Sequence, residues 1–369
     1  MRADTPARVE DLDTPAILID LDIMERNLRR VAEYAQQHGL RLRPHTKTHK
    51  IPALAREQLR LGAAGLTVAK VGEAEVMLQS ETPDLLLAFP IVGRPKLDRL
   101  MEVARKTAVT VSLDSVAAAK QLSDAASAAR IEIGVLAETD VGLGRVGVVP
   151  GEPLRRLVED IRRLPNLRWE GIAFYPGQIK TLDEAGEREL QKLAQLIESM
   201  LADLARAGLT ARIVSGGSTP TLFCSHRLPG VNEVRPGTYI FNDRNTVLSG
   251  ACSWADCAAS ILVAVVSTAK AGQMIVDGGS KTFSSDRPSA GAEVSFGHVV
   301  DAPEAVFTRM NEEHGFVELR GGPEFAVGDR VRIVPNHICV AMNLHECVYG
   351  IRAGIVEQVW RVEGRGKLQ

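Results

Sequence analysis

The feature that most constrains the fold is a regular alternation of short apolar runs with longer amphipathic stretches between residues 40 and 240. The stretches carry apolar residues at helical spacing, and several begin at Pro or Ser or end at Gly. Eight strand-then-helix units over about 200 residues are the number that closes a (β/α)8 barrel. We therefore predict an α/β fold built on a TIM barrel. The predicted strands are RLRPHTK (41–47), GLTVA (65–69), DLLLAF (84–89), AVTVSL (108–113), IEIGVLAE (131–138), WEGIAFY (169–174), ARIVS (211–215) and NEVR (232–235).

The character of the sequence changes after about residue 255. Runs rich in β-branched residues are separated there by turns that contain Gly, Pro and Asp, and no helical pattern stands out. The segment 14–22 is also strand-like, and we expect it to pair with this C-terminal part. These patterns predict two domains: the barrel over residues 23–250, and an all-β domain formed by residues 1–22 and 251–369.

Composition and charge argue against several classes of protein. A net charge of −2 is unlike that of nucleic-acid-binding proteins, which carry a basic surplus. No apolar run reaches the roughly 18 residues that a membrane span needs, and the charged first residues lack the apolar core of a signal peptide. The five cysteines are odd in number and show no framework spacing, which disfavours a secreted disulfide-rich fold. We expect a cytoplasmic protein with no nucleic-acid or membrane partner.

A cation-rich segment, RPHTKTHK (43–50), follows the start of the first barrel strand. Working residues of barrel enzymes lie at the carboxyl ends of the strands. If the strand continues through this segment, every second residue from Arg43 to His49 falls on one face, including His45 and Lys47. A lysine among cations inside a barrel has its charged form disfavoured, which activates it to form a Schiff base. The alternative is a solvated turn with exposed lysines.

A glycine-rich loop, Ser215-Gly216-Gly217-Ser218-Thr219, follows the seventh predicted strand. Paired glycines let backbone N–H groups approach an anion, and the Ser and Thr hydroxyls add donors at the start of a helix. The loops after strands seven and eight are the usual phosphate site of this fold. A helix-capping turn is the alternative, but it does not explain the paired glycines. A lysine and a phosphate cradle on one barrel suggest pyridoxal phosphate.

A third candidate site lies in the predicted all-β domain, at Pro335-Asn-His337-Ile-Cys339. On a strand, His337 and Cys339 fall on one face and could bind one metal ion. Imidazole and thiolate together suit Zn²⁺ better than Mg²⁺, Ca²⁺ or Mn²⁺, and two ligands leave positions open for water or substrate. For an isolated His-x-Cys pair, a buried cysteine beside a histidine of structural role is the commoner alternative.

These motifs, together with DTP (13–15), VGLGRVG (141–147), RPGTY (235–239) and NLHE (343–346), span essentially the whole chain. The sequence resembles the fold type III pyridoxal enzymes related to alanine racemase, and within them the D-threonine aldolase and D-serine dehydratase family. The resemblance implies a pyridoxal-phosphate-binding barrel with an all-β domain. It also implies a lyase that depends on pyridoxal phosphate and a divalent metal ion and acts on small D-β-hydroxy-α-amino acids.

The resemblance further implies roles for single residues. Lys47 would be the catalytic residue and would hold the cofactor as a Schiff base. His337 and Cys339 would bind the metal ion, with Zn²⁺ preferred and Mn²⁺ as the alternative, placed against the cofactor by the β domain near the interface of a homodimer. The other cofactor contacts would come from His45, Arg145, Tyr175, Ser215, Gly216, Gly217, Ser218, Thr219 and Tyr239.

Two departures from the family pattern leave the reaction open. Family aldolases usually have His-x-Asp at the metal, whereas the His-x-Cys found here is associated with D-serine and D-threo-3-hydroxyaspartate dehydratases. Aldolases of this type can use a histidine after the Tyr-x-Gly segment as a base, and the sequence after Tyr175 lacks it. The stretch NLHE (343–346), however, looks more like the aldolase branch.

The predicted reaction is a retro-aldol cleavage that gives glycine and an aldehyde. The alternative is an elimination that gives a keto acid and ammonia. An amino-acid racemase and a pyridoxal-phosphate carrier protein are more remote alternatives, and neither requires a metal ion.

Overall fold

The computed structural model describes residues 7–288 and 293–369. The chain divides into two compact units. The first, here called the barrel unit, comprises Val31–Lys47, Pro52–Gly237 and Gly366–Gln369. The second, here called the β unit, comprises Met1–Arg30, Thr48–Ile51 and Thr238–Arg365. Four residues after Lys47 therefore belong to the β unit, although the chain on both sides of them belongs to the barrel unit.

The chain enters the fold through strand β1 (Ala16–Asp20) and helix α1 (Leu21–Gln37). The carboxylate of Asp20 accepts a hydrogen bond from the N–H of Ile23 at 3.0 Å, which satisfies one of the free donors at the start of the helix. No helix in the described ranges is long and apolar enough to cross a membrane.

Eight parallel strands form the sheet of the barrel unit, in the order β2-β9-β8-β7-β6-β5-β4-β3. Most are short and almost wholly buried, as expected of a parallel sheet covered on both faces. The strands are β2 (Arg41–Leu42), β3 (Leu66–Val68), β4 (Asp84–Leu87), β5 (Ala108–Leu113), β6 (Ile133–Glu138), β7 (Leu167–Ala173), β8 (Ile213–Gly216) and β9 (Glu233–Val234). The helices between them are α2 (Pro52–Arg60), α3 (Val71–Met77), α4 (Arg94–Ala104), α5 (Val116–Ala129), α6 (Glu152–Arg163) and α7 (Glu184–Arg206).

The two ends of this sheet meet through the residues that follow β2. His45 forms a parallel bridge with Thr67 of β3, and the N–H of Thr67 donates to the carbonyl of Pro44 at 2.8 Å. The sheet therefore closes, and the predicted (β/α)8 barrel is confirmed. The seventh strand–helix repeat differs from the others, because β8 is followed by a 3-10 helix (Leu222–Arg227) and not by an α-helix.

The β unit is built on a nine-stranded sheet in the order β11-β14-β13-β12-β15-β10-β1-β16-β17, with a further pairing between β11 and β10. Strand β1 pairs antiparallel with β10 and parallel with β16, so the expected pairing of segment 14–22 with the C-terminal part is confirmed. The strands are β10 (Ala259–Ser267), β11 (Gln273–Val276), β12 (Gly297–Val299), β13 (Val306–Met310), β14 (Gly315–Glu318), β15 (Arg330–Pro335), β16 (Cys347–Arg352) and β17 (Ile355–Arg361). Within the described part of this unit, three short α-helices accompany the strands: α8 (Arg244–Leu248), α9 (Ser280–Phe283) and α10 (Ile338–Leu344).

The strand predicted over residues 41–47 is wrong beyond Leu42. Strand β2 ends there, and Thr46–Thr48 form a 3-10 turn, so the alternation that put every second residue on one face does not hold. Two physical causes are visible. Pro44 has no N–H to continue a ladder, and the Thr46 hydroxyl donates to the carbonyl of Thr67 at 3.2 Å, which bends the chain toward β3.

The expectation that His337 and Cys339 lie on one face of a strand is also wrong. Strand β15 ends at Pro335, His337 caps the N-terminus of α10, and Cys339 is the second residue of that helix. Proline ends the ladder, and the N–H of Ile338 donates to the buried carboxylate of Asp243 at 3.1 Å. Helix α10 has 7 residues, too few for a helical repeat to be visible in the sequence.

Candidate active site

Lys47 is exposed and ends the first segment of the barrel unit. Its backbone N–H donates to Nδ1 of the half-buried His45 at 3.4 Å. The predicted strand placed Arg43 on the same face as Lys47. In the structure, however, Arg43 is buried and only 1% exposed. The Arg43 guanidinium binds Glu233 at 3.0 Å and both carboxylate oxygens of Asp84 at 2.8 and 2.9 Å. Arg43 is therefore ion-paired inside the barrel, whereas Lys47 lies on an exposed turn.

A network of buried charges lies at the carboxyl ends of β8 and β9. Ser215 donates its hydroxyl to Glu233 at 2.7 Å and accepts from Arg235 at 2.5 Å. The second Nη of Arg235 donates to the carbonyl of Phe174 at 3.0 Å. Burial lowers the pKa of Arg235, and the carboxylates of Glu138 and Glu233 oppose this shift. Ser215, predicted to contact phosphate, is thus held by Arg235 and Glu233, two residues that the sequence analysis left without a role.

The loop after β8 needs both of its glycines. A Cβ at Gly216 would lie 2.2 Å from Cζ of the Phe174 ring. Gly217 has a φ of +89°, and a Cβ there would lie 3.1 Å from the Ser225 hydroxyl. The hydroxyl of Ser218 lies 3.1 Å from that of Thr221, while the half-buried Thr219 ends the loop. Close packing against Phe174 at residue 216 and a left-handed φ at residue 217 therefore both require glycine, and a glycine turn of this kind leaves backbone N–H groups unshielded by side chains, as in phosphate cradles.

Arg145 and Tyr175 lie together at the ends of β6 and β7. The guanidinium carbon of Arg145 lies 4.9 Å from the centre of the Tyr175 ring, in a cation–π contact. The loop that carries Arg145 is organised by Asp140, whose Oδ1 accepts the N–H groups of Gly142, Leu143 and Gly144 at 3.0 to 3.1 Å. Partial burial raises the pKa of Asp140, but these N–H groups outweigh it and hold the pKa below its usual value.

Gln178 connects the segment after Tyr175 to the same loop. Its Nε2 donates to the carbonyl of Val141 at 2.7 Å. Its Oε1 is buried and has no hydrogen-bond partner among the described residues. Buried polar atoms are almost always hydrogen-bonded, so this acceptor beside the Arg145 loop is available to a donor from a water or a ligand. The sequence after Tyr175 shows that a histidine is missing there but predicts no role for this glutamine.

In the β unit, His337 is oriented by a fully buried carboxylate. Its Nδ1 lies 3.0 Å from Oδ2 of Asp243, which also accepts the N–H of Ile338, while Oδ1 accepts the N–H of Thr246 at 2.9 Å. A carboxylate can only accept, so Nδ1 carries a proton that it donates to Asp243, and Nε2 is the ring nitrogen left on the side away from Asp243. Cys339 raises the pKa of His337 most strongly, burial opposes this, and the Asp243 carboxylate raises it further.

Cys339 is half-buried next to His337 on the first turn of α10. Its Sγ donates to the hydroxyl of Thr48 at 3.3 Å and lies 3.8 Å from the hydroxyl of Thr238. Within residues 7–288 and 293–369, no group of three or more His, Cys, Asp or Glu side chains is arranged to hold a metal ion. The donor set of His337 and Cys339, with its carboxylate-bound imidazole, fits an open zinc site that completes its shell with water or substrate.

The predicted site residues fall into both units. The barrel unit holds His45, Lys47, Arg145, Tyr175 and residues 215–219, whereas the β unit holds Tyr239, His337 and Cys339. Tyr239 is buried in the 3-10 turn Thr238–Ile240.

Comparison with known proteins decides the family. Residues 19–245 match the family model of the alanine racemase N-terminal domain, and residues 258–351 match that of a serine dehydratase domain. The chain is 32% identical over 363 residues to a D-threonine aldolase of Arthrobacter sp, which covers 96% of this chain and 93% of that protein. The chain belongs to the alanine-racemase-like family of pyridoxal-phosphate-dependent lyases.

Other members of this family are equally similar. The D-threo-3-hydroxyaspartate dehydratase of Delftia sp. (strain HT23) is 34% identical over 372 residues, with 95% of this chain and 97% of that protein covered. The crystal structure of a D-threonine aldolase from Filomicrobium marinum superposes with a TM-score of 0.92 at 31% identity, over 100% of both chains.

A mutant of D-threo-3-hydroxyaspartate dehydratase in its metal-free form superposes with a TM-score of 0.86 at 32% identity, over 96% of this chain and 99% of that one. The predicted family and the predicted class, a pyridoxal-phosphate-dependent lyase, are confirmed. The roles of the individual site residues stay predictions.

Proposed function

We propose that the protein is a metal-dependent D-threonine aldolase-like lyase, which cleaves D-β-hydroxy-α-amino acids to glycine and an aldehyde. The observation that carries the metal dependence of this reaction is the oriented pair in the β unit: Asp243 fixes the imidazole of His337, and the thiol of Cys339 stands next to it. A racemase needs no such pair. The match to an aldolase over the whole of both chains supports the same reaction.

The cofactor would be held mainly by the barrel unit, with Tyr239 contributed by the β unit. Pyridoxal phosphate, when bound, supplies a conjugated ring that stabilises negative charge at Cα of an amino acid. Lys47 Nζ would hold it covalently, and the turn at Gly216 and Gly217 would leave room for its phosphate. The remaining residues proposed for this site are His45, Arg145, Tyr175, Ser215, Ser218, Thr219 and Tyr239.

The metal ion would be held by the β unit. Zn²⁺ is the preferred ion because a thiolate is a soft ligand, with Mn²⁺ as the alternative, and such an ion acts as a Lewis acid on a hydroxyl group. Asp243 would keep Nδ1 of His337 protonated, so that Nε2 faces the ion. Cys339 Sγ would lose its proton to become the second ligand.

A dehydratase is the second candidate, and two residues favour it. Cys339 gives the His-x-Cys form, and Gln178 occupies the segment in which aldolases can have a histidine base. A carboxamide can accept a hydrogen bond but cannot take up a proton at neutral pH. In this reaction Lys47 Nζ would remove the Cα proton, the β-hydroxyl would leave, and the products would be a keto acid and ammonia.

Product analysis separates the two reactions. The holoenzyme, loaded with zinc, is incubated with D-threonine and with D-serine, and L-threonine serves as the stereochemical control. The proposal predicts glycine and acetaldehyde from D-threonine, and loss of turnover in EDTA. Keto acid and ammonia in equal amounts would identify the dehydratase, whereas full activity in EDTA would contradict both candidates.

We further propose a cytoplasmic homodimer with the active site near the subunit interface. We retain residues 23–250 as the cofactor-binding domain, and residues 1–22 and 251–369 as the metal-binding domain. Light scattering on the holoenzyme tests the dimer, because a monomeric mass at micromolar concentration would contradict it.

A further inference from the structure

The segment Thr48–Ile51, here called the anchor, is almost completely buried in the β unit. Thr48, His49 and Ile51 are 0% exposed, and Lys50 is 5% exposed. The anchor follows Lys47 directly in the chain. Burying an ammonium group is costly unless it is hydrogen-bonded, and an apolar side chain would fill the same space at lower cost. Packing alone therefore does not explain why a charged lysine, and not an apolar residue, is buried at residue 50.

The anchor contacts one face of helix α10 at two points. Thr48 accepts a hydrogen bond from Sγ of Cys339 at 3.3 Å. Nζ of Lys50 donates to Oδ1 of Asn343 at 2.7 Å. Cys339 and Asn343 are four residues apart on α10 and so lie on the same face, one turn from each other. The anchor thus holds the first and the last turn of the helix that carries a proposed metal ligand.

The backbone of the anchor is itself fixed. Lys50 has a φ of 58°, in the left-handed region that non-glycine residues adopt only when the surroundings impose it. Its carbonyl accepts the N–H of Gly364 at 2.9 Å, and a Cβ at Gly364 would lie 2.9 Å from Cβ of Lys50. Nδ1 of His49 accepts the N–H of Ile51 at 3.0 Å. The side chains of Thr48 and Lys50 are therefore presented from a rigid segment.

We propose that Lys50 is a positioning residue for the metal site: together with Thr48 it holds α10 so that the thiolate of Cys339 stays beside His337. The proposal rests on the proposed function, because it takes His337 and Cys339 as the metal ligands. It also assigns different roles to the two lysines of the motif TKTHK. Lys47 serves the cofactor, and Lys50 serves the metal ion through Asn343 and α10.

The test measures zinc affinity in matched pairs of variants of the holoenzyme. Asn343→Leu removes the acceptor of Lys50 at nearly constant shape, and Asn343→Asp keeps it. Thr48→Val removes the hydroxyl beside Cys339, and Thr48→Ser keeps it. Lys50→Met removes the ammonium group itself. Lys281→Met, at an exposed lysine of the β unit, is the control.

Competition with a chromogenic chelator gives the zinc dissociation constant, and visible absorption reports the bound cofactor. We expect Lys50→Met, Asn343→Leu and Thr48→Val to raise the dissociation constant about 10- to 100-fold, the usual effect of losing a residue that supports a metal ligand. Asn343→Asp, Thr48→Ser and Lys281→Met should stay within about threefold of the parent protein, and the cofactor absorption should remain in all variants.

Three outcomes would overturn the inference. The first is unchanged zinc affinity in Asn343→Leu and Thr48→Val. This result would contradict the positioning role even if Lys50→Met does not fold. The second is equal weakening in both members of a matched pair. The third is parallel loss of cofactor and zinc, which would indicate general support of the fold. Failure of the unmodified protein to bind zinc would instead contradict the proposed function.

Discussion

In the barrel unit, the proposed cofactor residues follow the strands of one parallel sheet. In the β unit, the proposed metal ligands lie at the start of helix α10, which is held by residues distant in the chain. Ser215, Gly216 and Gly217 lie at or directly after the end of β8. His337 is oriented by Asp243, 94 residues away, and Cys339 contacts Thr48, 291 residues away. The first kind of site can be predicted from local sequence, and the second depends on tertiary contacts.

The largest effect is expected in the barrel unit. Lys47→Ala should abolish the visible absorption of the bound cofactor and lower kcat/KM by ~10³-fold or more, because a residue that forms the covalent bond is not replaced by its neighbours. Spectrophotometry and steady-state kinetics measure the two effects. Lys192→Ala, at an exposed lysine of α7, is the control and should change neither quantity. Retention of the absorption band in Lys47→Ala would show that another lysine holds the cofactor.

Changes in the β unit should separate metal binding from cofactor binding. His337→Ala and Cys339→Ala should lose zinc but keep the cofactor absorption, because neither residue belongs to the barrel unit. Elemental analysis measures the zinc content of each purified variant. Loss of the cofactor in both variants would mean that cofactor binding and metal binding are not independent.

Cys339→Asp sharpens the same comparison, since it supplies the oxygen ligand of the His-x-Asp aldolases. We expect partial activity and a shift of metal preference from Zn²⁺ toward Mn²⁺, because a carboxylate is a harder ligand than a thiolate. Activity titrations of the metal-free protein with each ion measure the preference. Cys347→Asp, at a cysteine of the β unit outside the proposed site, is the control, and an equal shift there would contradict the assignment of Cys339.

These contrasts also explain how much the sequence predicted. The run AVTVSL gave the bounds of β5 correctly, because an apolar run with charged neighbours is bounded locally. The strand at 41–47 failed because Pro44 and the Thr46 hydroxyl redirect the chain toward β3. Asp243, Arg235 and the unsatisfied Oε1 of Gln178 were missed, because their importance comes from partners that only the folded chain brings near them.

A smaller effect is expected at the proposed phosphate turn. Gly217→Val should weaken cofactor binding about tenfold or more, because it adds a side chain at a φ of +89° where a phosphate would approach the backbone. Equilibrium titration of the cofactor-free protein with pyridoxal phosphate measures the change. Gly208→Val is the matched control, since Gly208 also has a positive φ but nothing within 4 Å of an added Cβ. Equal loss of affinity in both variants would point to backbone strain alone.

The smallest effect concerns the stability of the barrel unit at low pH. Partial desolvation lowers the pKa of the exposed His226, and His38, whose ring stacks on it, and the charge of Arg227 lower it further, although solvent screens these interactions. Because the folded-state pKa lies below the unfolded value of about 6.5, the unfolded chain binds more protons. Stability is therefore full above pH 6.5 and falls as the pH drops toward the folded-state value.

His226→Gln should flatten this part of the stability curve, measured by denaturant unfolding between pH 5 and 8. The zinc content should stay unchanged, because His226 is not part of the β unit. The same slope in the variant as in the parent protein would show that other groups cause the pH dependence.

The central claim is that a metal ion bound by His337 and Cys339 serves a lyase whose cofactor is held by Lys47. Anomalous X-ray diffraction at the zinc absorption edge, on crystals of the active holoenzyme, tests it most directly. The account predicts one strong peak at about 2.0–2.1 Å from Nε2 of His337 and about 2.3 Å from Sγ of Cys339. The absence of any peak at these residues, in crystals of protein that keeps full activity in chelator, would contradict it.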